Sequence, residues 1–161
     1  MIDVREAVLP DLPALVGLRT EMFAAMGVPE TDPGWRGHAE RWFTARIQNP
    51  GHCLYVVDAD GRVASCALGS LSESQPTPAR PFGQDLYISN VVTLPEFRGR
   101  GYAAAIFEAV LQWGRRQPGP VRARLFATAD GRGMYERAGF VPNTWPVMGV
   151  DLTGGPTAEG G

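Results

Sequence analysis

Cysteine and histidine are scarce in this chain: two of each among 161 residues. Cys53 and Cys66 fall in two stretches that read as strands, so they read as reduced core thiols rather than a disulfide framework. The histidines lie apart from them, and no spacing suits a metal ion. No apolar run approaches the ~18 residues of a membrane span. The first residues, Met1-Ile2-Asp3-Val4-Arg5-Glu6, alternate and carry charge, unlike a signal peptide, and the expected location is cytoplasmic. An excess of one charge is also missing. Fifteen Lys+Arg against 17 Asp+Glu leave a net charge of −2, so no basic field argues for nucleic acid. The remainder, 44% hydrophobic and 20% charged, suits one ordinary globular domain.

Periodicity organises the chain. Ile2 to Ala7 alternates as a short strand. Asp11 stands where a helix cap would, with Pro13 in the first turn, and Leu12, Leu15, Val16, Leu18, Phe23 and Met26 follow helical spacing to Gly27. Trp35 to Ile47 reads as a second helix, ended by Asn49-Pro50-Gly51. Cys53–Asp58 and Val63–Leu71 read as strands joined by an Asp60-Gly61 hairpin turn. Ser72 to Gln84, with Pro76, Pro78 and Pro81, is expected to be an irregular, mobile surface loop. A strand over Leu86–Leu94, a helix over Ala103–Arg116, a strand over Val121–Ala127, a short helix over Asp130–Ala138 and a last strand over Val147–Leu152 follow. The domain is expected to span 1–152, with a disordered tail over 153–161. The order β-α-α-β-β-β-α-β-α-β predicts a mixed α/β (α+β) sheet covered by helices on both faces.

The most informative residues are Arg98-Gly99-Arg100-Gly101-Tyr102-Ala103, set between a strand and a helix. The first N–H groups of a helix have no internal partner, and the helix dipole places partial positive charge there. Such a start is a phosphate seat. Glycines let the backbone approach a ligand and take positive φ, and the two arginines add forked cationic donors. The same residues also read as a solvated turn. Gly99-x-Gly101-x-x-Ala104 matches a dinucleotide fingerprint, but Pro95–Arg98 separate it from the strand and no acidic residue ends a next strand about 20 residues on. No Gly-Lys-Ser/Thr follows, which excludes a nucleoside-triphosphate loop.

Asp85 to Phe140 resembles the GNAT N-acetyltransferase superfamily. Arg98, Gly101 and Ala103 occupy the fixed positions of its Arg/Gln-x-x-Gly-x-Gly/Ala pattern, and Tyr135 with Gly139-Phe140 matches its later tyrosine and Gly-Phe. The element order before the motif also agrees, and the fold implied is a mostly antiparallel, splayed sheet flanked by helices. Three departures stand out. Thr128 occupies the position where many members have asparagine. Gly131 and Gly133 interrupt the helix before Tyr135. Tyr87 stands where histone-type members carry a catalytic glutamate.

The resemblance implies acetyl-CoA as co-substrate and a primary amine, on a small molecule or a peptide, as acceptor. The pyrophosphate would rest on the N–H groups of Gly101, Tyr102 and Ala103, with Gly99 permitting the turn and Arg98 and Arg100 screening charge. Main-chain groups of Val91, Val92 and Thr93 would hold the thioester carbonyl. Thr128 would touch the cofactor's arm. Tyr135 would protonate the leaving thiolate, though it also fits as an aromatic closing the core. Asp85, two residues before Tyr87 and on the same strand face if no bulge intervenes, is the candidate base acting through water, but it also reads as a solvated strand-start aspartate; Glu21 and Glu73 are looser candidates, and Asn90 would bond near the splayed strands or satisfy backbone groups. Phe23, Met26, Trp35, Trp42 and the Pro-rich loop would border the acceptor, suiting an apolar or aromatic amine. A monomer or homodimer is the family-level expectation. The alternative is a CoA-binding module without catalysis.

Overall fold

A computed structural model describes residues 1–154. The chain divides into two compact units, Met1–Phe126 and a second beginning at Ala127. The first holds a five-stranded sheet in the order β1 (Val4–Glu6), β2 (His52–Ala59), β3 (Arg62–Glu73), β4 (Gln84–Thr93) and β5 (Val121–Leu125). Pairing is antiparallel except between β4 and β5, which run parallel. The helices are α1 (Leu12–Ala25), α2 (Trp35–Thr44), α3 (Tyr102–Arg115) and, in the second unit, α4 (Arg132–Arg137). The mixed sheet expected from the element order is present, and it is mostly antiparallel, as the family resemblance implies. The hairpin turn is formed as its chemistry dictates, with Asp60 at φ 52° and Gly61 at φ 72°.

Strand alternation decides what each face buries. Leu54 and Val56 of β2 pair with Leu68 and Cys66 of β3, and all four join Leu15, Val16 and Leu18 of α1 and Ala39 and Phe43 of α2 in one cluster. The opposite face receives α3, whose Ile106, Phe107, Val110 and Leu111 are buried. Glycines set that approach. A Cβ on Gly69 would lie 2.8 Å from Cys53 Sγ and 2.9 Å from Val110 Cγ1, and one on Gly114 only 2.6 Å from Leu86 Cδ2. Both cysteines are buried free thiols, and burial pushes each up to about 12, well outside the range of reactive thiolates.

Two expectations change, the cap of α1 and the last strand. Asp11 stands at the N-cap of α1, but its carboxylate turns back to the Val8 N–H (2.8 Å) and to Arg5 (2.8 and 3.0 Å), leaving the helix start without a side-chain cap. The Pro-rich loop is tied across itself: the Ser74 N–H donates to Gly83 O at 3.0 Å, and Thr77 and Arg80 form an isolated bridge. Val147–Leu152 is not a strand. Its apolar alternation is right, but a strand also requires a partner edge, and Val147, Met148, Val150 and Leu152 are exposed. Of the expected tail, residues 155–161 lie outside the described residues.

Candidate active site

The site begins where β4 leaves β5. The parallel pairing covers only Gln84 to Ile88, matched to Val121 to Leu125. Beyond Ile88, β4 runs on to Thr93 without that partner. A register shift against β3 falls in the same place: Leu68 pairs with Ser89, yet Cys66 pairs with Val92. Two steps on β3 thus answer to three on β4, which is a β-bulge. Its residue Asn90 is buried, at φ 52°, in a left-handed conformation that asparagine tolerates better than most side chains. The bulge reverses the alternation, so Tyr87 before it and Asn90 within it both face Arg19 of α1. Side chains of β3 hold the bulged segment. Ser65 Oγ donates to Val92 O at 2.9 Å and lies 2.8 Å from Thr93 Oγ1, and Cys66 Sγ donates to Asn90 O at 3.3 Å. Val91 to Thr93 are therefore fixed from one side.

The chain then passes through a short 3-10 turn, Pro95–Phe97, anchored by buried Phe97, into the glycine loop. Gly99 at φ 74° and Gly101 at φ 82° are left-handed, and Gly101 is the N-cap of α3. No side chain caps this helix. The leading N–H groups of α3 point out of the helix end with no intrahelical acceptor. A Cβ on Gly99 would meet nothing within 4 Å, and one on Gly101 only Ile2 Cδ1 at 3.5 Å, so open space lies over the turn. The start of α3 is thus reached through two left-handed glycines and carries no side-chain cap.

Arg98 and Arg100 are not aimed freely at that space. Arg98 Nε donates to Thr93 O at 3.1 Å, and its Nη2 lies 3.8 Å from Glu21 Oε1, so it ties the loop to the end of β4 and to α1. Arg100 lies over the Phe97 ring, 5.2 Å from its centroid, and donates to Glu96 O at 3.3 Å. Glu21, a looser base candidate, is correspondingly engaged. Asp85 sits at the β5-covered end of β4, about 13 Å of strand before Ser89. Its oxygens face Arg80 Nη1 (3.3 Å) and Arg124 Nη2 (3.7 Å). That geometry gives Asp85 two arginine partners at the end of β4 that pairs with β5. Glu73 is exposed at the far end of β3.

Of the expected acceptor aromatics, Phe23 and Trp35 meet edge to face at 6.1 Å. Trp42 instead packs on Phe43 at 5.4 Å, with Arg46 stacked 3.5 Å from its ring centroid, and Met26 is exposed. Tyr87 pairs with Phe126 at 5.7 Å, and burial raises its phenol against the opposing pull of Arg19. Sequence reasoning missed Arg19. The signal was there: it lies on the Leu12, Leu15, Val16, Phe23 stripe of α1, where a cation is out of place on a core-facing side.

In the second unit, Tyr135 of α4 is buried and its ring lies 6.3 Å from Phe140. Burial raises its pKa above the ordinary 10. The glycine at 131 now has a reason: a Cβ there would stand 2.8 Å from Tyr135 Cε2. Thr128 Oγ1 accepts from the Gly131 N–H at 3.2 Å, closing the turn into α4.

The likenesses to known proteins agree with this geometry. The model of the acetyltransferase (GNAT) family matches residues 18–140. A crystal structure of a predicted acetyltransferase with acetyl-CoA from Clostridium acetobutylicum superposes with a TM-score of 0.80 at 21% identity, covering 92% of this chain and 96% of that one. A GCN5-related N-acetyltransferase from Ralstonia eutropha gives 0.75 at 23% identity, with 93% and 99% covered. Glucosamine-6-phosphate N-acetyltransferase from Arabidopsis thaliana gives 0.72 at 16%, with 95% and 99% covered. None of the curated proteins matches in sequence. With its glycine turn, its bulged strand and three quarters of its length inside one family model, this chain belongs to the GNAT family of acetyltransferases.

Proposed function

We propose that this protein moves an acetyl group from acetyl-CoA to a primary amine by direct attack. The observation that carries the reading is the left-handed Gly99–Gly101 turn feeding the uncapped start of α3 directly after β4 leaves its parallel partner. Gly101, Tyr102 and Ala103 offer main-chain N–H groups to a diphosphate there, where the helix dipole favours anions. Acetyl-CoA, when bound, supplies the activated acyl group. Gly99 lets the chain turn, while Arg98 and Arg100 hold the loop's shape through Thr93, Glu21, Glu96 and Phe97 and add positive potential at short range. Main-chain donors over Val91–Thr93 stabilise the oxyanion that develops on the thioester carbonyl; their pinning by Ser65 and Cys66 supports this, because preorganised donors need no rearrangement as charge appears.

Family membership supports Tyr135 as the acid for the leaving thiolate. Its raised pKa keeps the phenol protonated throughout the neutral range, and a thiolate whose conjugate acid lies near ~8.5 takes that proton only in a coupled transition state. Thr128 is proposed to touch the cofactor's arm through whatever hydrogen-bonding capacity the Gly131 N–H leaves it. No base is assigned: Asp85 is held by two arginines, and the proton that the attacking nitrogen sheds passes to solvent, from which Tyr135 is reprotonated.

Calorimetry with acetyl-CoA tests the seat. The wild-type chain is expected to bind, and Gly101→Val is expected to weaken binding at least ten-fold, since a branched side chain both strains φ 82° and fills the approach. Equal affinities in the two proteins would end the proposal. Binding without CoA release from any amine would instead favour a non-catalytic CoA-binding module.

A further inference from the structure

Arg19 is out of step with the rest of the charge. Nine ion pairs join arginines to carboxylates among the described residues, and Arg19 is in none of them. Most other arginines without a carboxylate are exposed. Only Arg19 and Arg46 are half-buried, and Arg46 is stacked on Trp42 and bonded to its carbonyl at 3.0 Å. Arg19 meets neutral groups alone. Its Nη1 donates a hydrogen bond to Asn90 Oδ1, and its guanidinium lies 4.7 Å from the Phe23 ring centroid. Cys66 and Tyr87, both uncharged at neutral pH, are its titratable neighbours, and burial lowers its pKa without discharging it. Nε and Nη2 have no protein acceptor among the described residues, and neither is sealed from solvent.

A half-buried cation without a counter-charge is unfavourable unless an anion completes it. The site where this one waits is specific. Asn90 is the bulge residue, so Arg19 is fixed beside the point where β4 separates from β5. Two aromatic pairs adjoin it, Phe23–Trp35 and Tyr87–Phe126. We propose that Arg19 reads a carboxylate on the acceptor, through the fork its Nε and Nη2 leave open, and that the acceptor is an amino-acid-like amine whose apolar or aromatic side chain lies against those rings. This rests on the acetyltransferase reading and narrows it. A planar bidentate anion fits the remaining two donors, and the bulge fixes the guanidinium in advance, so little ordering is left for binding to oppose.

Matched pairs of amines provide the test: phenylalanine against phenethylamine, tryptophan against tryptamine, leucine against isoamylamine. CoA release with acetyl-CoA gives kcat/KM for each, and thermal shift in the presence of CoA gives binding without turnover. The wild-type enzyme is expected to favour the acid of at least one pair ten-fold or more, mainly through KM, and only the acid is expected to raise Tm. Arg19→Gln is expected to collapse that ratio to near one. Arg19→Lys, which keeps the charge but not the fork, should fall between, and it serves if the glutamine variant does not fold. A wild-type enzyme that acetylates the decarboxylated amines as well or better overturns the proposal and leaves the acetyltransferase reading standing. So does a preference for the acid that survives Arg19→Gln. Acetyl-CoA binding with no turnover of any amine, or no acetyl-CoA binding at all, overturns both.

Discussion

At the scale of single residues, the second unit offers the sharpest test of mechanism. Tyr135 is buried and its phenol is raised above 10, so it is neutral wherever the enzyme works. An acid of this kind contributes ~10²–10⁴-fold when it protonates a leaving group. Tyr135→Phe is therefore expected to lower kcat by about 10²-fold while leaving acetyl-CoA affinity within two-fold. Gly131→Ala should lower kcat in the same direction, because the new methyl would stand 2.8 Å from Cε2 and push the ring from its place. Steady-state CoA release measures both. If the phenylalanine variant turns over at the wild-type rate, the thiolate receives its proton elsewhere. Gly131 also shows what sequence reading lacks: in the sequence it reads as a weak helix position, but in the fold it is the N-cap of α4 and its reason is a ring four residues on.

At the scale of elements, α3 and the sheet fix each other through glycines. In Gly114→Ala the added methyl would lie 2.6 Å from Leu86 Cδ2, and Leu86 is sealed in the core with nowhere to go. Overpacking of this sort costs ~1–3 kcal/mol, against which alanine's better helix propensity returns less than about 1. Gly17 of α1 is the control: it is exposed, with nothing within 4 Å of an added Cβ. Gly17→Ala should stabilise by about 0.5–1 kcal/mol, while Gly114→Ala should destabilise by about 1–2. Urea denaturation of the two variants separates them, and the same sign for both would refute the packing argument. The regular elements were legible because their periods are. Leu15, Val16 and Leu18, or Ile106, Phe107, Val110 and Leu111, recur at helical spacing and are buried accordingly. The glycine turn was legible because left-handed residues at a helix start leave few other options. The bulge at Asn90 was not, since one extra residue in a strand leaves no mark on composition. The partners of Asp85 were not legible for a related reason. Alternation does not say which end of β4 stays paired with β5, nor that Arg80 and Arg124 would take its oxygens.

At the scale of the whole molecule, acid stability tests how the buried charge is arranged. Asp11 is 8% exposed and accepts both Arg5 terminal nitrogens and the Val8 N–H, while Arg5 also reaches Asp58 at 2.6 Å. The Arg5 hydrogen bonds hold the Asp11 carboxyl below its ordinary 3.8, despite burial. A carboxylate lowered in the folded state contributes stability that is present above 3.8 and is lost as pH falls through its folded value. His52 acts higher on the scale. Burial, and then the charge of Arg46, lower it from 6.5, and its Nδ1 lies 2.9 Å from Ser70 Oγ. Below 6.5 the unfolded chain takes up a proton that the folded one resists, so stability falls as pH drops from there toward the folded value. Acid unfolding is thus expected in two stages. The loss beginning near pH 6.5 should vanish in His52→Gln. Asp11→Asn should cost about 2 kcal/mol at pH 7, since it breaks a buried charge-assisted pair. Its gap to wild type should close below the folded pKa of Asp11, where the wild-type carboxyl is also neutral. Thermal melts from pH 7 to pH 2 give both curves; a gap for Asp11→Asn that stayed constant to pH 2 would mean that its hydrogen bonds do not depend on its charge.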